Sequence, residues 1–237
     1  MFEYNQLPRS WKDMHDVMTS GVDRIIAYGP PGTGKTYGGL TMGNLGGSVH
    51  RLVCNEEMTS ADVTGHFMPS ADGSWMWRNG AVINAWQSGG RLVADEIDRA
   101  SGDVLSLLLA MFDTPDSASW THPVTGEVLR PKEGFSVVMT TNIEDMADLP
   151  TALADRFPIR IRISEPHPAA LMTLDEDVRV AASQSADESP DRRISMRGWK
   201  EFCRLRKLLS DERAAELVFG SLARSVLNTI RVDSVTA

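Results

Sequence analysis

Eight consecutive residues, Gly29-Pro30-Pro31-Gly32-Thr33-Gly34-Lys35-Thr36, have the types and spacing of a phosphate cradle. Glycines let backbone N–H groups turn inward around phosphate oxygens, where a Cβ would block the approach. Lys35 would reach the β- and γ-phosphates, and the Thr36 hydroxyl would ligate Mg²⁺. A second chemical pair, Asp95-Glu96, follows the apolar run Arg91-Leu92-Val93-Ala94. There Asp95 would hold Mg²⁺ through water, and Glu96 would orient and deprotonate an attacking water. Asn142 stands behind Thr140-Thr141. Its amide suits a hydrogen bond to a γ-phosphate or to the water without adding charge; Thr-Thr-Asn is equally good turn chemistry.

These groups need parallel strands to bring them to one edge. Arg24-Ile25-Ile26-Ala27-Tyr28 reads as a strand feeding the cradle, and a helix is expected from Tyr37 to Asn44, ended by Gly46-Gly47. The helix N-terminus adds a field that favours anions. Further strands are expected at Val49–Cys54, Arg91–Ala94, Phe135–Met139 and Pro158–Ile163. An acidic residue at the end of a buried strand lands beside the phosphate loop in such folds. Trp11, Met14, Val17 and Met18 have helical spacing, as do Val104, Leu105, Leu107, Leu108, Met111 and Phe112.

Two stretches depart from plain alternation. In residues 66–79, Asp72-Gly73 sits between apolar runs, a hairpin signal placed inside a helix that starts at Ser60-Ala61-Asp62-Val63 and resumes at Ala81–Trp86. Residues 113–135 carry Thr125-Gly126 between Pro123-Val124 and Val128-Leu129, a second expected hairpin. Trp75, Met76 and Trp77 would either present a gripping surface or pack the first hairpin to the body. After Pro166 and Pro168 the pattern is helical, over about 168–184, 195–209 and 211–230. The expected fold class is α/β: an αβα sandwich on a five-stranded parallel sheet (residues 1–165), then a small helical lid (166–237).

Composition narrows the function classes. The 237 residues are 42% hydrophobic and 24% charged, ordinary for a globular protein. No apolar run is long enough to span a membrane, and Met1-Phe2-Glu3-Tyr4-Asn5 lacks a secretion-signal layout. Cys54 and Cys203 form no metal or disulfide spacing, so a cytoplasmic location is expected. No pair among His15, His50, His66, His122 and His167 has metal spacing. A net charge of −8 argues against broad nucleic-acid binding, although a local basic pore would escape that argument.

The order of these motifs resembles the AAA+ ATPases. The resemblance rests on the cradle, Leu92-Val93-Ala94-Asp95-Glu96-Ile97-Asp98-Arg99-Ala100, Thr141-Asn142 and Leu153-Ala154-Asp155-Arg156-Phe157, and it covers roughly residues 20–230. The two insertions make it similar to the MoxR-like and dynein-related branch. That resemblance implies ATP and Mg²⁺ as nucleotide and cofactor, with Asn142 as sensor 1 and Arg156 as an arginine finger reaching the neighbouring subunit's γ-phosphate. It implies Arg197 as sensor 2 on a lid helix, with Arg192 and Arg193 as rivals and Ser195 as that helix's N-cap. Asn55 resembles the residue that restrains the catalytic glutamate; a turn asparagine is the other reading. The branch further implies a homo-oligomeric ring, most often a hexamer, and a partner carrying a von Willebrand factor A domain.

The expected function is therefore an ATPase remodelling a protein client or inserting a metal or cofactor. With no separate client-binding domain expected, specificity would come from the insertions or a partner. The alternative is a nucleic-acid motor or loader, viral or restriction-related. Its basic pore is not evident at 113–135, where Arg130, Lys132 and His122 face Asp113, Asp116, Glu127 and Glu133.

Overall fold

The computed structural model describes residues 4–43 and 47–236. The chain divides into two compact units. One comprises Asp13–Gly29 and Lys35–Arg162; the other comprises the chain through Lys12, Pro30–Gly34, and everything from Ile163 on.

The first unit is built on a parallel sheet. After a helix, α1 (Arg9–Thr19), the strand β1 (Arg24–Tyr28) leads into the phosphate loop and then α2 (Lys35–Thr41). β2 (Val49–Val53) and a short helix, α3 (Ser60–Thr64), precede the hairpin strands β3 (Gly65–Pro69) and β4 (Trp75–Asn79). α4 (Ala81–Ser88) then leads to β5 (Arg91–Asp95), and α5 (Gly102–Met111) to a second hairpin, β6 (Trp120–Thr121) and β7 (Val128–Leu129). β8 (Ser136–Thr140), α6 (Thr151–Arg156) and β9 (Ile159–Arg162) complete the unit. The sheet order is β2-β5-β8-β1-β9, with every adjacent pair parallel. The five-stranded α/β fold expected from the sequence is thus present. Because the strands are parallel, their C-terminal ends share one edge, and residues following β1, β5 and β8 converge there.

Helix α2 starts at Lys35, two residues before the expected Tyr37, since Gly34 at φ +105° closes the loop directly against it. The expected end at Asn44 and Gly46 lies outside the described residues. Gly39 explains how α2 can lie so flat: a Cβ there would stand 3.2 Å from Val138 and 3.3 Å from Val93. Arg91 finishes the arrangement from the opposite end of the sheet. Its buried guanidinium donates to the carbonyls of Gly39 and Met42, closing the C-terminal turn of α2 with a cation. On the other sheet face, Ile26, Leu92, Val137 and Met139 pack with Trp86 and Phe112 in a continuous core.

Both insertions are hairpins, and they meet. The first turns through Asp72-Gly73 as expected, with Gly73 at φ +84° and the Asp72 carboxylate accepting from Ser74 N and Oγ. The second was expected to use Pro123-Val124 as a strand; the strand instead is Trp120–Thr121. Proline cannot donate to a ladder, so Pro123 falls in the turn that His122 and Glu127 close. Trp77 of β4 stacks on Trp120 of β6 at 6.1 Å and meets His122 at 5.6 Å. Its Nε1 donates to Asn79, whose amide donates to Gln87 on α4. Trp75 and Met76 are 69% and 56% exposed. The two sequence readings of this stretch therefore divide between residues: Trp77 packs, while Trp75 and Met76 face solvent. Trp77→Ala is expected to cost about 1–3 kcal/mol, read as a fall in Tm of several degrees. Thermal unfolding of Trp77→Ala, Trp120→Ala and the double variant should show the losses to be less than additive.

The second unit is helical. It holds α7 (Pro168–Leu171), α8 (Arg179–Gln184), α9 (Met196–Leu205), α10 (Asp211–Phe219) and α11 (Ala223–Thr236). The helices expected over 168–184 and 211–230 are each broken. Asp175 is extended at ψ 146°, and Gly220 takes φ +54°, so neither can carry a helix through. Trp199, Phe202 and Phe219 form the aromatic centre, with ring centroids 5.0–6.4 Å apart. Arg206 binds Asp177 and Asp211 at 2.7 Å each and ties three segments together.

Candidate active site

The phosphate loop follows the C-terminal end of β1, between two strands that both run parallel to it. Lys35 is buried, and its ammonium donates to the Gly29 carbonyl at 2.8 Å, folding the side chain back over the loop. Burial pulls its pKa down to about 8, with Asp95, Asp98, Glu144 and Glu96 acting in the opposite sense. Pro30–Gly34 belong to the second unit and are held by contacts within it. Thr33 Oγ1 donates to Pro30 O, and the Thr33 carbonyl accepts from His167 N at 3.4 Å. Trp11 lies against Gly34, packs edge-on against His167 at 4.8 Å, and donates Nε1–H to Glu165 O. At Gly32, a Cβ would come within 2.7 Å of Ser195. With φ +80° as well, that position admits only glycine.

At the end of β5, Asp95 is 5% exposed, and both of its carboxylate oxygens are hydrogen-bonded. Its Oδ1 accepts from Thr36 Oγ1 at 2.6 Å and from Thr140 Oγ1; its Oδ2 accepts from Arg51 on β2. Burial would raise this carboxyl's pKa, but hydrogen bonds from Thr140, Thr36 and Arg51, with the Arg51 charge, hold it below the ordinary aspartate value. A hydroxyl and an ionised carboxylate side by side form a hard oxygen pair, the donor chemistry that suits Mg²⁺ shared with phosphate oxygens. No group of three or more His, Cys, Asp or Glu side chains that could hold a metal occurs among the described residues.

Glu96 follows at φ 56°, the one non-glycine left-handed residue among those described. A glutamate held there is strained backbone of the kind that clusters at functional sites. Its N–H reaches Thr140 Oγ1 at 3.3 Å, its Oε1 accepts from Asn142 Nδ2 at 3.4 Å, and its Oε2 lies 3.3 Å from Arg99. Thr36, Asp95, Glu96 and Asn142 thus form one connected polar cluster, with Lys35 adjoining Thr36 in the chain. The sequence reading missed Thr140 and Arg51 as its members. Thr140 was legible only as turn chemistry; Arg51 carries no local signal, since only the β2–β5 pairing brings it to Asp95.

The remaining candidates make other contacts. Arg156 ends α6, with Nε 3.6 Å from Asp113 Oδ2 and Nη1 donating to Ala152 O. Arg197 is exposed in the first turn of α9, capped by Ser195, whose hydroxyl accepts from Gly198 N. Arg193 donates to the Ala186 carbonyl, and Arg192 is exposed. Asn55 is exposed, its Oδ1 accepting from Glu57 N in a local turn. Cys54, buried beside this region, has its thiol pushed up to about 12 by burial and then by Asp95, Asp98 and Glu96, so it is inert as a nucleophile.

The family model described as the AAA domain of the dynein-related subfamily matches residues 24–157, from β1 to the residue after α6. The chain belongs to that family. This AAA ATPase domain has relatives among curated proteins. An uncharacterized protein of Staphylococcus saprophyticus is 30% identical over 57% of this chain and 53% of its own length. The denitrification regulatory protein NirQ of Stutzerimonas stutzeri is 29% identical over 50% of this chain and 42% of its own. The chain thus spans about half the length of the curated relatives it matches. A solved Cytophaga hutchinsonii protein superposes with a TM-score of 0.46 at 19% identity, over 78% of this chain and 51% of that one. No helix among the described residues is long and apolar enough to cross a membrane.

Proposed function

We propose that this AAA domain is a Mg²⁺-dependent ATPase that works as a ring, most simply a hexamer, and spends hydrolysis on remodelling a protein client or inserting a metal or cofactor. The observation that carries the hydrolytic part is the Thr36–Asp95–Glu96–Asn142 cluster, with Glu96 locked in a left-handed backbone by its neighbours. In this reading the loop amides of Gly29–Lys35 and the Lys35 ammonium bind the phosphates. Thr36 and Asp95 would hold Mg²⁺, which when bound neutralises charge on the β- and γ-oxygens. Glu96 accepts the proton of the attacking water, and Asn142 orients that carboxylate. Arg156 serves a neighbouring subunit's γ-phosphate, and Arg197 acts as sensor 2 within the helical lid we assign to residues 166–237.

The exposed Trp75 and Met76 on a hairpin braced by its neighbour offer a surface for a protein client. A von Willebrand factor A partner belongs to the same proposal and would be found by co-purification from the source cell.

ATP turnover measured against protein concentration, with mass photometry on the same samples, tests the assembly. Specific activity is expected to rise with concentration as a ring appears. Equal turnover by a dilute monomer would refute the interface mechanism. The Lys35 pKa adds a pH test. Phosphate binding favours the charged ammonium, and in the free protein that charge is lost as pH rises through about 8. Nucleotide binding should therefore take up protons above pH 8 and weaken by up to about tenfold per pH unit beyond it. Fluorescent-nucleotide titrations at pH 7, 8 and 9, roughly bracketing that transition, check this.

A further inference from the structure

Glu96 carries a left-handed backbone, φ 56° and ψ 47°, which a glutamate keeps only where its surroundings impose it. The peptide group that enters this residue is fixed from both neighbouring strands. Its carbonyl, that of Asp95, accepts from Cys54 N at 2.8 Å, just past β2. Its N–H, that of Glu96, donates to Thr140 Oγ1 on β8 at 3.3 Å. The β5–β8 register ends with Ala94 opposite Met139, which sets Thr140 beside Asp95. The chain thus leaves the ladder at Glu96, and a side-chain hydroxyl receives the N–H in place of a backbone carbonyl.

Thr140 is buried, and a buried hydroxyl is costly unless it is bonded. A valine would fill much the same space on a strand without that cost. The hydroxyl is used twice. It donates to Asp95 Oδ1, and because a carboxylate can only accept, its lone pairs are left for the Glu96 N–H. Two residues further on, Asn142 Nδ2 donates to Glu96 Oε1 at 3.4 Å. The end of β8 therefore reaches the glutamate at two points, its backbone through Thr140 and its carboxylate through Asn142.

We propose that Thr140 is a positioning residue for hydrolysis: its hydroxyl ties the Glu96 backbone to the Asp95 carboxylate and so aims the Glu96 side chain at the attacking water. The proposal rests on the reading of Glu96 as the general base. Thr140 acts through Glu96 on this account and touches neither nucleotide nor water. Misplacing a catalytic group by about 1 Å costs rate by up to about 10²-fold. Nucleotide affinity, which in the proposed scheme comes from the loop and Lys35, should be spared.

The test is single-turnover hydrolysis of Mg²⁺–ATP with a parallel ADP-binding titration, on the full chain. Thr140→Val is expected to lower the rate about ten- to hundredfold and to leave the ADP dissociation constant within about threefold. Thr140→Ser keeps the hydroxyl and should stay within about threefold of the wild-type rate. In a Glu96→Gln background, Thr140→Val should cost less than about twofold further, because its effect passes through the carboxylate already lost. Should the valine variant not fold, Thr140→Ala removes the same hydroxyl. A folded Thr140→Val protein within about twofold of the wild-type rate overturns the proposal. A serine variant as slow as the valine one overturns it too, and makes the methyl group the one that matters. An undiminished loss in the Glu96→Gln background does the same and places the effect on Asp95. Glu96→Gln alone separates the two levels of inference. If it hydrolyses ATP within about tenfold of wild type, the general-base reading and this proposal fall together. If it is slow and Thr140→Val is not, only the role of Thr140 falls.

Discussion

Replacing Glu96 by Gln is expected to lower ATP turnover by about 10²–10⁴-fold while leaving nucleotide binding within a factor of about three. Within the cluster, the Asp95 carboxylate already accepts from Thr36, Thr140 and Arg51, which leaves the Glu96 carboxylate as the proton acceptor in the proposed scheme. The amide retains its shape, its length and its place beside Asn142. Binding should be spared because, in the proposed scheme, the phosphate contacts come from the loop, Lys35 and Thr36. The residue's backbone at φ 56° is set by its surroundings, and glutamine meets the same strain as glutamate there. The substitution should therefore leave the Tm within about 2 °C, in line with a surface-accessible, near-isosteric change. Single-turnover hydrolysis with a parallel binding titration distinguishes the outcomes. Turnover within tenfold of wild type would remove Glu96 from the role of general base.

The second large effect concerns Arg156. In the isolated chain its guanidinium leans on Asp113 and the Ala152 carbonyl, at the end of a six-residue helix. A contact of 3.6 Å with a partly exposed aspartate is weak enough to give up, as the proposed role requires. Arg156→Ala is expected to lower turnover by about 10³–10⁵-fold, the span seen when a trans arginine is removed from phosphoryl transfer. ATP binding to the single subunit should persist. The decisive measurement mixes two inactive proteins. In a ring built from Arg156→Ala and Glu96→Gln subunits, some interfaces join an intact Glu96 to an intact Arg156. Random mixing at equal amounts would restore about a quarter of the wild-type sites, as head-to-tail interfaces allow. No recovery in mixed rings confirmed by mass photometry would rule out the trans role. Full activity of Arg156→Ala alone would do the same.

These two predictions interrogate different groups. In the proposed scheme Glu96 would act on the water and Arg156 on charge developing at the γ-phosphate. A loss confined to one assay therefore names the group at fault.

Much of the protein was legible in its sequence, for physical reasons that operate locally. The phosphate loop declares itself because turning amides inward needs glycines at fixed places, and Gly32 and Gly34 do take positive φ. Asp95 is marked by the apolar strand that ends on it, since a strand buried on both faces reads as an unbroken hydrophobic run. The first hairpin follows from Asp72-Gly73, whose turn is made by nearest neighbours. Where local signals conflicted, the sequence misplaced boundaries: Pro123 interrupts a strand it was assigned to, and Gly220 breaks a helix that periodicity alone would carry on.

Tertiary structure decided whatever depends on pairing between distant segments. No local pattern could place Arg51 on Asp95, 44 residues away, because the parallel register of β2 and β5 makes that contact. Trp77 and Trp120 were two isolated aromatics until both hairpins folded onto each other. Arg91, read only as the first residue of a strand, turned out to close α2 from the far end of the sheet. Glu96 was assigned its chemistry from its neighbours in the chain, but its left-handed backbone and its bond to Asn142 exist only once β5 and β8 lie side by side. Spacing along the chain fixes which groups are available and what each can do. Which of them share a charge, a proton or a strain is fixed by strand order, because hydrogen bonds and ion pairs act over a few ångströms that only the folded sheet supplies.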